Sequence, residues 1–378
     1  MKREGLNFLL ATSVFIGTII GAGIFALPYV FAQSGFGIGL FWLFLICFIL
    51  ILTTCAYAEV VLRTSKDMEM PGYVNHYLGK KGKVIISLSL ILGIYAALIG
   101  YSIGIGNFLE DVIGPIDQNG LFWKLITLFG LGVILYLEIK AISRLELAMA
   151  GGILISIIII FFDGFHFIKL SNLGYLNYSN FFAPFGAVLF AFGGATAVPT
   201  MKRILSKNVR NLKKSILTGN LIVALVYTIF TFTILGISGH NTPMQAIDNL
   251  GSLISDFSWK LGIILGICTM STSFLSLGYI LMQVYKKDYN MPKFPSWILV
   301  ILIPLLLIVL GLRNFITVIS IGGGLLSGVQ GVILLLTWQK ARSQGDRIPE
   351  FKIKISQPLF YFVIFIFCLG IISQIFVL

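Results

Sequence analysis

Gly17-Thr18-Ile19-Ile20-Gly21-Ala22-Gly23 lies in the middle of an apolar stretch, residues 7–30, long enough to cross a bilayer. A second glycine break, Phe192-Gly193-Gly194-Ala195, interrupts another such stretch about half a chain later. In hydrocarbon no water replaces a lost backbone partner. A broken helix is therefore tolerated only inside protein or beside an aqueous cavity. Two interrupted spans at matching positions of two halves are the pattern that marks a transporter's substrate site.

Composition agrees with a membrane setting. Of 378 residues, 57% are hydrophobic and only 11% charged, with a mean hydropathy of +0.97; a soluble domain carries roughly 25% charged residues. The net charge of +12 does not imply a nucleic-acid partner, because the positive residues sit between apolar runs, as helix orientation requires. Cys47, Cys55, Cys268 and Cys368 fall inside apolar runs without metal-ligand spacing, and read as small buried hydrophobes. Met1-Lys2-Arg3 and the run behind it read as a retained first span, since the run exceeds a signal-peptide core.

Eleven spans emerge, at about 7–30, 37–62, 84–108, 121–139, 147–167, 182–204, 216–237, 259–283, 296–312, 315–338 and 358–378, in one transmembrane domain covering residues 1–378. With a cytoplasmic N-terminus, 23 of the 27 Lys and Arg residues fall inside; Lys124, Lys169, Lys260 and Arg313 fall outside, and so does the C-terminus. The expected site is the plasma or inner membrane, with the lipid bilayer as partner. The basic run 202–214 is a topology anchor or an anionic-lipid contact. Shifting the first five spans by about 174 residues places them near spans six to ten. Because five is odd, the second half enters from the opposite side. The repeats at about 7–167 and 182–338 are then inverted, and the span at 358–378 is left over.

A helix cut at mid-membrane leaves unpaired carbonyls on one half and unpaired N–H groups on the other, with opposite partial charges. The N–H end favours a carboxylate; the carbonyl end favours an ammonium or a metal cation. Gly21 and Gly23 permit close approach and unusual dihedrals. A zwitterionic amino acid matches both poles, and no Asp, Glu, Lys or Arg lies near the middle of any span. Taken alone, Gly17-x-x-x-Gly21 also reads as a helix-packing motif. What favours a site is the second break in the repeat-related span, each break being followed by a proline, Pro28 or Pro199.

Around these breaks, Thr269-Met270-Ser271-Thr272-Ser273 is the densest hydroxyl cluster in any span. It either joins span-1 carbonyls in coordinating Na⁺ or makes ordinary helix hydrogen bonds. Tyr95 and Tyr101, with Phe190 and Phe192, are candidate walls of a pocket or ordinary core aromatics. Glu59, Glu138 and Asp163 lie near span ends, where a carboxylate is cheap to keep ionised. His76, His166 and His240 read as loop residues, and Gly322-Gly323-Gly324 as close packing or a hinge.

Several segments resemble a known superfamily. GTIIGAGIFALP (17–28) looks like the first-helix signature of the amino acid–polyamine–organocation superfamily, whose members have the five-plus-five inverted-repeat leucine-transporter fold. FAFGGATAVP (190–199) resembles the sixth-helix break of its amino acid/auxin permease branch. YAALIGYSIGIGN (95–107) and STSFLSLGY (271–279) are similar to helices 3 and 8 of the aromatic and hydroxy amino acid permeases. The likeness covers essentially the whole chain. It implies an all-α integral membrane protein with eleven transmembrane helices, of which helices 1 and 6 are broken.

For the site, the resemblance implies that N–H groups of Gly21, Ala22 and Gly23 hold a substrate carboxylate, with Ile19 and the Phe190–Phe192 carbonyls on the amino group. Phe192 would gate the site beside Tyr101, with Gly194, Ala195 and Thr196 shaping the side-chain pocket. A cation site would use the Gly17 and Ile20 carbonyls with Thr269, Thr272 and Ser273. Two departures bear on coupling and specificity: span 5 carries no lysine, and Gly194-Ala195-Thr196 stands where relatives often have a histidine.

The function expected is secondary transport of a neutral amino acid, aromatic ones among the candidates, by H⁺- or Na⁺-coupled alternating access, without a bound cofactor or other metal. Polyamine or organic-cation transport and amino acid exchange are the alternatives within the fold. An intramembrane enzyme would need activated catalytic side chains that the spans lack; a channel would need a continuous polar pore; no ATP-binding loop occurs.

Overall fold

The computed structural model describes residues 2–117, 120–137, 142–206, 208–247 and 255–377; Glu138 lies outside them. Among the described residues the chain forms fourteen α-helices and no strand. These are α1 (Lys2–Ile19), α2 (Gly23–Ser34), α3 (Phe36–Arg63), α4 (Met70–Ile113), α5 (Phe122–Tyr136), α6 (Ile142–Gly164) and α7 (Ala183–Ala191). The second half holds α8 (Val198–Ile204), α9 (Asn211–Ser238), α10 (Asp256–Gln283), α11 (Lys293–Val309), α12 (Phe315–Ser320), α13 (Gly328–Gln344) and α14 (Gln357–Val377). A chain this apolar satisfies its backbone within each helix, the only open-ended solution in lipid.

Among the described residues six helical segments are long and apolar enough to cross a membrane, the bent pair α1–α2 makes a seventh, and four apolar helices, including α5 and α11, are shorter. The helices show lipid-facing and core-facing stripes. On α3, Phe41, Phe44 and Phe48 are exposed while Trp42, Leu43 and Ile46 are buried; on α9, Leu221 and Leu225 point outward and Val223 and Tyr227 inward.

Several expectations need correction. The span expected at 84–108 falls in the long second piece of α4, which Gly79 (φ +71°) divides from a short helical piece that begins at Met70. His76 is consequently helical, not in a loop. The ninth span runs from Lys293 to Val309 and is turned by Gly311 at φ +110°. Of the cysteines, Cys47 and Cys55 are buried, but Cys268 is only half-buried and Cys368 is exposed. Both sit on helix faces that are not fully packed, which spacing alone does not reveal.

Glu59 also departs from expectation. It is 1% exposed, and its carboxylate is bonded on both oxygens. Arg63 donates to Oε1 through Nε (2.8 Å) and Nη2 (2.7 Å), while Trp338 Nε1 and the Ile353 N–H donate to Oε2 at 2.9 Å each. One carboxylate thereby fastens α3, α13 and the segment before α14. Nearby in sequence, buried Glu69 accepts from Arg203 of α8 (3.1 Å) and Lys287 beyond α10 (2.9 Å). That cluster anchors the end of α8, the helix that follows the second glycine break.

Candidate site at the two helix breaks

α1 stops at Ile19 and α2 starts at Gly23, with the two axes bent by 50°. In the other half, α7 stops at Ala191, Phe192–Gly194 is non-helical, and one 3₁₀ turn (Ala195–Ala197) leads into α8. This second interruption is gentler, since Ala183–Ile204 still runs as one span. Neither break uses left-handed backbone. The glycines at positive φ are Gly35, Gly79, Gly114, Gly120, Gly239 and Gly311, all elsewhere.

What Gly21, Gly23 and Gly194 supply is close approach. A methyl built on Gly23 would lie 2.6 Å from Ala191 Cα, and one on Gly194 would lie 2.6 Å from Ile19 Cγ1. One on Gly21 would come within 2.9 Å of both Ser273 Oγ and the Tyr101 ring. The breaks therefore touch: the end of each N-terminal half-helix packs against a glycine of the other break.

Backbone polarity follows from this geometry. The N–H groups of Gly21, Ala22 and Gly23 make no backbone hydrogen bond, nor do those of Ala195 and Thr196; they are the unpaired donors expected at a helix start. On the opposite poles, the carbonyls of Ile19 and Ala191 both accept from one side chain. Tyr227 of α9, 0% exposed, places its hydroxyl 2.7 Å from Ala191 O and 3.1 Å from Ile19 O. Its ring meets Phe192 edge-on at 5.2 Å between centroids.

A cavity of about 80 Å³ opens beside the breaks. Ile19, Tyr101, Phe190, Phe192, Gly194, Ala195 and Thr196, seven of the expected site residues, line it. Gly21, Ala22 and Gly23 are adjacent but do not line it. No charged side chain lines it either: the walls are aliphatic and aromatic, with hydroxyls from Thr18, Thr53, Thr54, Thr196 and Ser327 and the amide of Gln330. The Thr196 hydroxyl is buried with no partner, a polar group left free to serve a ligand. Tyr95 is not part of this wall; its hydroxyl pairs with Tyr285 (2.7 Å) and Leu299 O (3.1 Å).

Phe25 packs edge-on against Phe108 and Phe230, at 5.4 and 5.8 Å, and the Ala246 N–H donates to Phe25 O at 2.9 Å. Buried Gln245 donates to Gly104 O at 3.2 Å. The cavity lining continues along α3, α4 and α13 through Thr53, Leu90 and Leu334. The glycine triplet at 322–324 forms a π-helical turn, Ile321–Ser327. A methyl on Gly323 would fall 2.0 Å from Gly186 O, so the turn packs backbone to backbone on α7, and Gly322 reaches the cavity wall.

Beside Gly21, Ser273 donates from Oγ toward Gly17 O (3.0 Å) and Ile20 O (3.2 Å). Thr269 and Thr272 turn their hydroxyls back into α10, onto Gly266 O and onto Cys268 O and Thr269 O respectively. Three of the five expected cation-site residues thus meet, and two spend their protons on their own helix.

Tyr227, Thr53, Thr54 and Gln330 were missed in the sequence. Each is a polar-tipped residue within an apolar span, which is the signal that could have raised them.

The comparisons with known proteins agree with this architecture. The solved structure of MhsT in complex with L-phenylalanine superposes with a TM-score of 0.75 at 17% identity, over 98% of each chain; the two share a fold. The tyrosine-specific transport system 1 of Haemophilus influenzae is 24% identical over 239 residues, which cover 63% of this chain and 60% of that protein. The glutamine transporter 2 of Aliivibrio fischeri is 23% identical over 85% of this chain and 86% of its own length. The family model for tryptophan/tyrosine permeases matches residues 5–374, essentially end to end, and the chain is a multi-pass membrane protein belonging to the tryptophan/tyrosine permease family.

Proposed function

We propose that the protein is a secondary active transporter that carries a neutral amino acid, aromatic ones included, across the cell or inner membrane by cation-coupled alternating access. The observation that carries the reading is the meeting of the two breaks beside a cavity without charged lining. Such a site offers N–H groups to a carboxylate and carbonyls to an ammonium, and a zwitterion, having no net charge, needs no charged side chain beside it. A polyamine would lack its acidic counter-ion there.

In this reading the chain is one domain of the leucine-transporter type, with eleven transmembrane helices, the first and sixth broken. α1 to α6 and α7 to α13 form inverted repeats, and α14 is additional. The 28-residue lengths of both α3 and α9, each following a broken helix, support the pairing. The positive-residue bias supports a cytoplasmic N-terminus and an external C-terminus.

The carboxylate rests on Gly21, Ala22 and Gly23 and the ammonium on Ile19 O and the carbonyls around Phe190–Phe192. Tyr101 and Phe192 form the walls, with Gly194, Ala195 and Thr196 beside the side chain. The coupling ion is H⁺ or Na⁺. For Na⁺, the Gly17 and Ile20 carbonyls with Ser273 Oγ supply hard oxygen donors, and rotation of the Thr269 and Thr272 hydroxyls would complete the set. The helices around the breaks, α1–α3 and α7–α9, move against α4, α10 and their neighbours to expose the site to each side in turn.

The test is uptake by purified protein in liposomes, with a panel of amino acids and imposed Na⁺ and H⁺ gradients. Uptake of at least one neutral amino acid, accelerated by one of the two gradients, is expected. No uptake, and no amino acid that shifts thermal stability, overturns the reading. In the same assay Gly21→Val is expected to lower uptake by about 100-fold, since its side chain meets Tyr101 and Ser273 and displaces the carboxylate by about 1 Å. Uptake at the wild-type level by that variant would remove Gly21 from the site.

A further inference from the structure

We infer that Tyr227 is the positioning residue of the ammonium subsite, a neutral clamp that keeps the carbonyl ends of the two broken helices in register. The inference rests on the transport reading above. Ile19 and Ala191 are the last residues of α1 and α7, so their carbonyls carry the partial negative charge of a helix C-terminus and lack an intrahelical donor. They come from different halves of the chain and meet where Ile19 packs on Gly194 and Ala191 on Gly23. Both lie against the Tyr227 hydroxyl, at 3.1 and 2.7 Å.

A phenol has one proton. It serves Ala191 O, the nearer acceptor, and leaves Ile19 O only a share of it. Ile19 O is therefore the under-donated carbonyl of the pair, and Ile19 also lines the cavity. An ammonium arriving there supplies the missing donor while Tyr227 keeps Ala191 O. The arrangement is selective because it is neutral: a lysine at this position would repel the substrate's ammonium, and an aliphatic side chain would leave two buried carbonyls unpaired.

Packing makes the clamp rigid. Tyr227 is 0% exposed and its ring is held edge-on by Phe192, so the hydroxyl cannot swing away. Because Ala191 is also the residue that Gly23 packs against, the hydroxyl holds one break at the point where the other crosses it. Its role is to orient the carbonyls, and the substrate touches them rather than the phenol.

The experiment measures binding to purified Tyr227→Phe and to wild type with two ligands, L-phenylalanine and its desamino analogue 3-phenylpropionate. Removing the hydroxyl is expected to weaken L-phenylalanine binding about tenfold and to change 3-phenylpropionate binding less than twofold. An equal loss for both ligands overturns the proposal in favour of general destabilisation, and no loss for either overturns it outright.

Tyr57→Phe serves as the reference, because the Tyr57 hydroxyl is buried with no partner; it is expected to leave both affinities unchanged. Should Tyr227→Phe fail to fold, 4-aminophenylalanine placed at position 227 retains a donor. L-phenylalanine affinity within about threefold of wild type then supports the clamp, and a larger loss shared by both ligands overturns it. Wild type that binds neither ligand nor any other amino acid condemns the transport reading itself, an outcome distinct from a normal wild type with an indifferent variant.

Discussion

Gly23→Ala is expected to abolish amino acid uptake and to lower stability, although it adds a single methyl group. That methyl would lie 2.6 Å from Ala191 Cα, 2.7 Å from its Cβ and 3.3 Å from its nitrogen. These are backbone-borne atoms of a neighbouring helix, and no rotamer change relieves them. The first half-helix pair must separate from α7 at the point where the breaks touch, which moves the Gly21–Gly23 N–H groups relative to the Ile19 and Ala191 carbonyls. Overpacking of this kind costs about 1–3 kcal/mol in stability, and a displacement near 1 Å in a binding constellation costs about 100-fold in rate.

The measurement is initial uptake in liposomes together with thermal unfolding in detergent. Gly130→Ala, which meets nothing within 4 Å on α5, is the neutral reference and gains helix propensity instead. Wild-type uptake by Gly23→Ala would mean that the α2–α7 contact plays no part in transport. Gly21→Ala is the milder counterpart, because the groups it meets, Ser273 Oγ and the Tyr101 ring, are ends of side chains that can shift.

The second large effect is expected far from the breaks. Glu59→Ala leaves three donor groups, on Arg63, Trp338 and Ile353, without their acceptor in a site where the carboxylate is 1% exposed. Removing one partner of a buried ion pair costs about 3–5 kcal/mol. The melting temperature in detergent should fall by roughly 5 °C or more.

Glu59→Gln is no rescue. Its single carbonyl oxygen can satisfy Arg63 or the Trp338–Ile353 pair, and its amide NH₂ then faces the other set, donor against donor. Both variants are expected to retain ligand affinity in the fraction that stays folded, since Glu59 does not line the cavity. A melting temperature unchanged by Glu59→Ala would show that the tie between α3, α13 and the segment before α14 contributes nothing to stability.

Much of the helical layout was legible because hydrocarbon imposes it. Long apolar runs of Leu, Ile, Val and Phe have one way to satisfy their backbone, and glycine pairs with a following proline mark where that way fails. The positions of α1 to α3 and of α7 to α10 follow from those signals within a few residues. One misreading has a simple cause: window averages register apolar length but not a short polar helix. Met70 to Leu78 carries polar residues and reads as a loop, yet it is helical up to the kink at Gly79.

The resemblance to the permease superfamily likewise singled out Ile19, Phe192 and Thr196, which line the cavity, and Ser273 beside Gly17 and Ile20. For the glycines the sequence offered both close approach and unusual dihedrals, and the structure uses them for close approach between helices without left-handed backbone. A sequence displays which residues lack a Cβ, but the atom that would have collided with that Cβ belongs to another helix.

By itself, then, the sequence determined that the chain is a multi-pass membrane protein, where most of its long apolar helices run, and where two of them lapse. These are one-dimensional properties, set by transfer free energy and backbone hydrogen bonding within each span. Tertiary structure alone decided that the two lapses touch, that Tyr227 stands between their carbonyl ends, and that Glu59 is a buried tie rather than a span-end charge. Those facts depend on which helix faces meet, and pairing between residues as far apart as Ile19 and Tyr227 is settled by packing in three dimensions.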